Sequence, residues 1–109
     1  MTRPPESEIC ELHAQFCQAL ADPTRIMLLY TLAEGPRNVG ELATELKLSQ
    51  PNVSRHLKVL RERGIAVATR EGANVVYSLA DKRVLKALDL MRELLGDQLA
   101  RRAHLAEAL

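Results

Sequence analysis

The sequence predicts a mainly α fold with a small β-hairpin wing: a winged helix-turn-helix of five helices and two antiparallel strands. Three observations predict it. In the segment Leu46 to Leu60, Val53, Leu57 and Leu60 fall on one stripe of a helix, at i, i+4 and i+7, and polar side chains fall away from it. A shorter amphipathic segment ends just before, with only Lys47 and Leu48 as the turn. Two β-rich runs follow at once, Ile65 to Thr69 and Val75 to Leu79, joined by the turn residues Glu71-Gly72-Ala73-Asn74.

The elements follow in order. Met1 to Ser7 reads as a flexible arm. Ile9, Leu12, Phe16 and Leu20 space as one apolar face of a first helix. Asp22-Pro23 starts a second, with Asp as N-cap and Pro as first helical residue. That helix runs through Ile26, Leu28, Leu29 and Leu32 and stops at Gly35-Pro36. Asn38 with Glu41 three residues on forms a capping box for a short third helix bearing Val39, Leu42, Ala43 and Leu46. Ser49 caps the fourth, with Pro51 in its first turn and its end near Gly64. Asp81 caps a long last helix. Its apolar residues, Val84, Leu85, Leu88, Met91, Leu94, Leu95, Leu99, Leu105 and Leu109, exceed what a small body covers, and such a stripe usually meets its own copy across a two-fold axis.

Length and charge bound the function. The 109 residues suffice for one domain, 1–109, with a limited core that a partner subunit would extend. Net charge is only +1, yet its distribution is uneven. Residues 1–50 carry four cations and seven anions, residues 51–70 five cations and one anion, and the remainder six of each. The positive excess sits on the fourth helix and just beyond it, as a phosphate-contacting surface requires. One Phe, two Tyr and no Trp argue against stacking on single-stranded nucleic acid. No apolar run approaches a membrane span, and the N-terminus lacks a signal-peptide core, so a cytoplasmic location is expected.

The candidate DNA-binding residues are Ser49, Gln50, Asn52, Ser54, Arg55, His56, Lys58 and Arg70. Gln50, Asn52, Ser54 and His56 offer donors or acceptors to base edges, and Arg55 and Lys58 suit phosphate or guanine. Arg70 sits near the wing tip, within reach of a minor-groove phosphate or base edge. Taken alone, the helix also fits any solvated amphipathic surface; its neighbours favour the DNA face. A winged helix used only for protein interaction is the alternative, and it needs neither the local charge nor the polar face. Catalysis is not expected: no Gly-rich phosphate loop, nucleophile motif or full metal triad is present, and His13, His56 and His104 have no evident carboxylate partners.

Three stretches together carry a family resemblance: Ala19-Leu20-Ala21-Asp22-Pro23-Thr24-Arg25, Gly40-Glu41-Leu42-Ala43, and Leu48 to Leu60 running into Arg63-Gly64-Ile65. The chain resembles the ArsR/SmtB family of bacterial winged-helix repressors over roughly Leu12 to Leu79. The resemblance implies a homodimer whose first and last helices form the interface, a near-palindromic double-stranded operator, and an inducer that releases the DNA.

The inducer is open. Arsenite and cadmium sensors of the family often carry a Cys-x-Cys pair in the third helix, where this chain reads Glu41-Leu42-Ala43-Thr44-Glu45-Leu46. Zinc sensors often use Asp-x-His and His-x-x-Glu in the last helix. His104 and Glu107 match the second half, but Met91 and Glu93 occupy the first, and Met91 is a poor zinc ligand. One helical turn of separation makes His104 and Glu107 plain surface neighbours in the alternative reading. Cys10 and Cys17 lie on the first helix with His13 between them. In a regular α-helix they project within ~20° of each other but ~10.5 Å apart along the axis. That excludes a disulfide or a shared ion within one chain. Across a dimer interface, either thiol could bind As(III) or another thiophilic ion, or form an intersubunit disulfide. The alternative is two small core hydrophobes.

Overall fold

Side-chain hydrogen bonds start the second, third and fourth helices where the sequence places them. The first has no side-chain cap and begins at Glu6, inside the arm expected over Met1 to Ser7. The computed structural model describes residues 2–108. The first helix, α1, is continuous over 6–19 but not uniform: Glu6–Glu8 and Ala14–Ala19 are α-helical, and Ile9–His13 between them is a π-helical turn. Residues 2–5 precede it without regular structure; Met1 and Leu109 lie outside the described residues. Helix α2 is Pro23–Ala33, and the Asp22 carboxylate accepts from the N–H groups of Thr24 at 2.8 Å and Arg25 at 3.2 Å. Helix α3 is Val39–Leu46. Its capping box closes in both directions: Asn38 Oδ1 accepts from Glu41 N at 2.8 Å, and Glu41 Oε1 accepts from Asn38 N at 3.0 Å.

The turn between α3 and α4 (Gln50–Glu62) is short because Lys47 takes the left-handed conformation, φ 57°. Leu48 then donates back to the Ala43 carbonyl at 2.9 Å. Ser49 Oγ accepts from Asn52 N at 3.3 Å and opens α4. Gly64, at φ 71°, ends it, and Ile65 N–H reaches the Leu60 carbonyl at 2.9 Å.

The wing is β1 (Ala66–Glu71) paired antiparallel with β2 (Asn74–Leu79). Glu71 pairs with Asn74, so the turn is only Gly72-Ala73, tighter than the four residues the sequence suggests, and Gly72 takes φ 63°. Arg37 and Tyr77 exchange backbone hydrogen bonds of 3.1 and 2.8 Å, which fasten β2 to the loop after α2. Helix α5 is Arg83–Ala108. It begins two residues after Asp81, whose carboxylate accepts from Arg83 N at 2.9 Å.

The core gathers buried side chains from every helix and from around β1: Ala19, Leu28, Leu29, Leu32, Leu42, Ala43, Val53, Leu57, Leu60, Ile65, Ala66, Val84 and Leu88. Tyr77 and Leu79 of β2 are partly buried against it. The stripe Val53, Leu57 and Leu60 is fully buried, as its spacing predicts. The two terminal helices behave differently. Ile9, Leu12 and Phe16 on α1 are exposed, as are Leu90, Met91, Leu94, Leu95, Leu99 and Leu105 on α5. The radius of gyration is 17.1 Å, against about 13 Å for a compact chain of this length. Both terminal helices extend from the core: α5 has no buried residue after Leu88, and α1 has none before Ala19. Gly96 lies within the continuous α5, and a Cβ there would meet nothing within 4 Å.

Candidate nucleic-acid interface

Helix α4 presents two chemically opposite sides. Its buried stripe packs on α2 and α3, while Gln50, Ser54, Arg55, Lys58 and Arg61 are exposed and Asn52 is half-buried. The outward groups are organised by short-range contacts. Arg55 Nη2 donates to Asn52 Oδ1 at 2.7 Å, one turn earlier. Lys58 Nζ lies 4.0 Å from Glu62 Oε1, a weak exposed pair that a phosphate can displace. Ser49 is exposed, but its hydroxyl already accepts the Asn52 N–H as the helix cap. Arg70 is exposed on β1, opposite Val75 and one residue pair from the turn.

His56 is the exception among the candidate residues. Its side chain is 13% exposed and turned toward α2. Nδ1 lies 3.3 Å from Arg25 Nη1 and 3.9 Å from Asp22 Oδ1. The structure therefore supplies the carboxylate neighbour that sequence spacing gives no sign of, and it takes His56 out of the outward-facing row. Burial alone would push the Asp22 carboxyl up. Backbone hydrogen bonds from Arg25 and Thr24 and the positive charge of Arg25 act the other way, and the carboxyl sits below its ordinary range.

Arg25 was visible in the sequence only as the end of a motif. Its Nε donates to the Ala19 carbonyl at 2.7 Å and Nη2 to the Gln18 carbonyl at 3.2 Å, so it closes the C-terminus of α1. A second strap joins α4 to α1: Arg63 Nη1 donates to Gln15 Oε1 at 3.0 Å. His56 and Arg63 are seven residues apart and share a face of α4.

The candidate effector residues lie elsewhere. Cys10 and Cys17 are free thiols and both are exposed in the single chain, so neither is a core hydrophobe of this chain. The π-helical turn at Ile9–His13 contains Cys10 and corrects the regular-helix geometry: each residue in it advances and rotates the chain less than in an α-helix, so the two thiols diverge by more than ~20° and rise less than ~10.5 Å. His13 Nε2 lies 3.8 Å from Glu8 Oε1, one further carboxylate neighbour that the sequence reading did not anticipate. His104 and Glu107 are exposed on α5. Among the described residues, no group of three or more His, Cys, Asp or Glu side chains converges as a metal site, and no helix is long and apolar enough to cross a membrane.

A buried-backed polar helix, a tight turn before it and a two-stranded hairpin after it define a winged helix-turn-helix protein. The profile described as "Bacterial regulatory protein, arsR family" matches residues 22–67. The HTH-type transcriptional regulator CmtR of Mycobacterium tuberculosis is 46% identical over 83 residues, which cover 72% of this chain and 70% of that protein. The crystal structure of M. tuberculosis Rv0081 is 35% identical, with a TM-score of 0.78 over 94% of this chain and 99% of that one. The solution structure of Mb0332 from Mycobacterium bovis, a homodimeric winged helix-turn-helix DNA-binding domain, is 27% identical, with a TM-score of 0.76 over 91% and 94%. The chain belongs to the ArsR family of bacterial regulatory proteins: it is a winged helix-turn-helix transcriptional regulator and not an enzyme.

Proposed function

We propose that the protein is a homodimeric repressor that binds a double-stranded operator through the recognition helix, 49–63, and the wing, 65–79. One observation carries the reading. Val53, Leu57 and Leu60 are 0% exposed while Gln50, Ser54, Arg55 and Lys58 of the same helix are exposed. A helix braced this way offers its polar side to a major groove, with Gln50, Asn52 and Ser54 at base edges and Arg55 and Lys58 on phosphate or guanine. Arg70 on the wing reaches the adjacent minor groove.

Dimerisation through α1 and α5 is supported by their uncovered apolar faces and by the homodimeric state of the M. bovis relative. A two-fold axis there spaces the recognition helices by about one DNA turn, ~34–36 Å.

The inducer in this reading is a thiophilic ion such as As(III), or an oxidant, acting at Cys10 or Cys17. Support comes from the exposure of both thiols on the helix that lines the interface. With peroxide, two thiols from two protomers lose two protons and two electrons, form one disulfide and yield water.

Mobility shift on the DNA upstream of the protein's own gene tests the whole reading. Salt-dependent binding, released by As(III) or peroxide, is expected. Release that persists in the Cys10→Ser, Cys17→Ser double variant removes the cysteines. No duplex binding at any salt leaves the winged helix as a protein-interaction module.

A further inference from the structure

We infer that His56 positions the recognition helix and does not itself contact DNA, an inference that rests on the DNA-binding reading of α4. A guanidinium has donors only, so the 3.3 Å contact between Arg25 Nη1 and His56 Nδ1 requires a lone pair on Nδ1 and places the ring proton on Nε2. Protonated at Nδ1, the ring would point N–H at N–H. The Asp22 carboxylate does not offer a competing acceptor at close range. Its Oδ1 is 3.9 Å from Nδ1 and is already taken by the N–H groups of Thr24 and Arg25.

The same guanidinium directs two further donors to the Gln18 and Ala19 carbonyls at the end of α1. One side chain from α2 thus joins the terminal helix to the middle of the recognition helix. The strap from Arg63 to Gln15 makes the second point of attachment, two turns further along. Two points on one face fix the roll of α4 as well as its position. The roll decides which side chains face outward, because Gln50, Ser54 and Lys58 lie on the side of α4 opposite the two straps. It also ties that roll to α1, whose exposed Ile9, Leu12 and Phe16 await a partner.

The test separates the two ring nitrogens. In His56→Asn the side-chain oxygen stands near the Nδ1 position, whereas in His56→Gln the polar atoms reach toward Nε2; His56→Phe keeps the ring without either. The full-length proteins are titrated against a duplex that the wild type selects from a random pool. His56→Asn is expected to bind within a few-fold of wild type, and His56→Gln and His56→Phe about tenfold or more weaker, the loss of one charge-assisted hydrogen bond. Full binding by His56→Gln with loss in His56→Asn overturns the inference, as does equal binding by all three.

Ring nitrogen NMR on the free protein decides independently of DNA. A bare Nδ1, with a resonance that moves in Arg25→Lys, is expected; a proton on Nδ1 refutes the inference. Failure of the wild type to select any duplex is a different result, since it sinks the DNA reading while the nitrogen spectrum still decides the Arg25 contact.

Discussion

The Tyr30 hydroxyl donates to Asp89 Oδ1 at 2.6 Å, joining α2 to α5 across 59 residues. Arg92 completes the contact, 5.5 Å from the centre of the Tyr30 ring and 3.9 Å from the Asp89 carboxylate. The location explains its use. Val84 and Leu88 are the last buried side chains of α5, and Leu90 beyond them is 66% exposed. A polar clasp therefore holds the helix at the point where apolar packing ends.

Two consequences of this clasp are measurable. Tyr30→Phe is expected to cost about 1 kcal/mol in thermal or denaturant unfolding, with faster amide exchange in α5 after Leu88. Donation to Asp89 is the first cause, and burial the second, that raise the Tyr30 phenol above its ordinary 10.0, with Arg92 opposing. The neutral phenol is thus favoured in the folded protein. Its contribution is complete below pH 10.0 and is lost as pH rises through the raised value. Ultraviolet titration of Asp89→Asn should bring the phenol back toward the ordinary range. An unmoved titration would mean that the clasp does not form in solution.

Asp81 gives the opposite sign. The Arg83 side chain binds its carboxylate at 2.7 Å, and the Arg83 N–H adds a second bond. Side-chain and then backbone bonding to Arg83 lower the carboxyl to about 2. What this pair contributes to folding is present above the ordinary carboxylate range and fades as pH falls through about 2. Carboxyl carbon NMR should find Asp81 titrating lowest of the aspartates. Arg83→Ala should lift it toward ~3.9, and a value that stays low would assign the shift to the backbone bond alone.

Arg55 and Lys58 stand outward with no buried partner, so neither is needed for folding. Arg55→Ala and Lys58→Ala should leave the melting temperature within about 2–4 °C, since surface changes cost within ~0.5 kcal/mol. Each should weaken duplex binding across sequences and reduce the salt slope by about one where a phosphate contact is lost. If neither affects binding, α4 is not the docking face.

Leu94 and Leu95 are 54% and 55% exposed in the single chain. Their burial against a second copy predicts that Leu94→Glu or Leu95→Glu shifts sedimentation from dimer to monomer at micromolar concentration. Operator affinity should fall with it, because two half-sites are then bound separately. A variant that remains dimeric would place the interface elsewhere.

What the sequence determined by itself is whatever depends on residues within about one helical turn. Asp22, Asn38 with Glu41, and Ser49 cap their helices because donor and acceptor lie two or three positions apart. The Val53, Leu57 and Leu60 stripe follows from helical periodicity, and the wing from a Gly72 turn between β-rich runs. The membership of the polar face was legible only in part. His56 sits at the flank of the stripe, ~100° from Leu57 and ~60° from Val53, where periodicity leaves both directions open.

Tertiary structure decided the rest, because its partners are remote in sequence. Arg25, 31 residues away, turned His56 inward, and Asp89 found Tyr30 across 59 residues. The π-helical turn at Ile9–His13 likewise escapes a wheel drawn at a constant angle, and it changes where Cys10 and Cys17 point. A local pattern records what a residue can do; which neighbour it meets depends on the whole chain's packing.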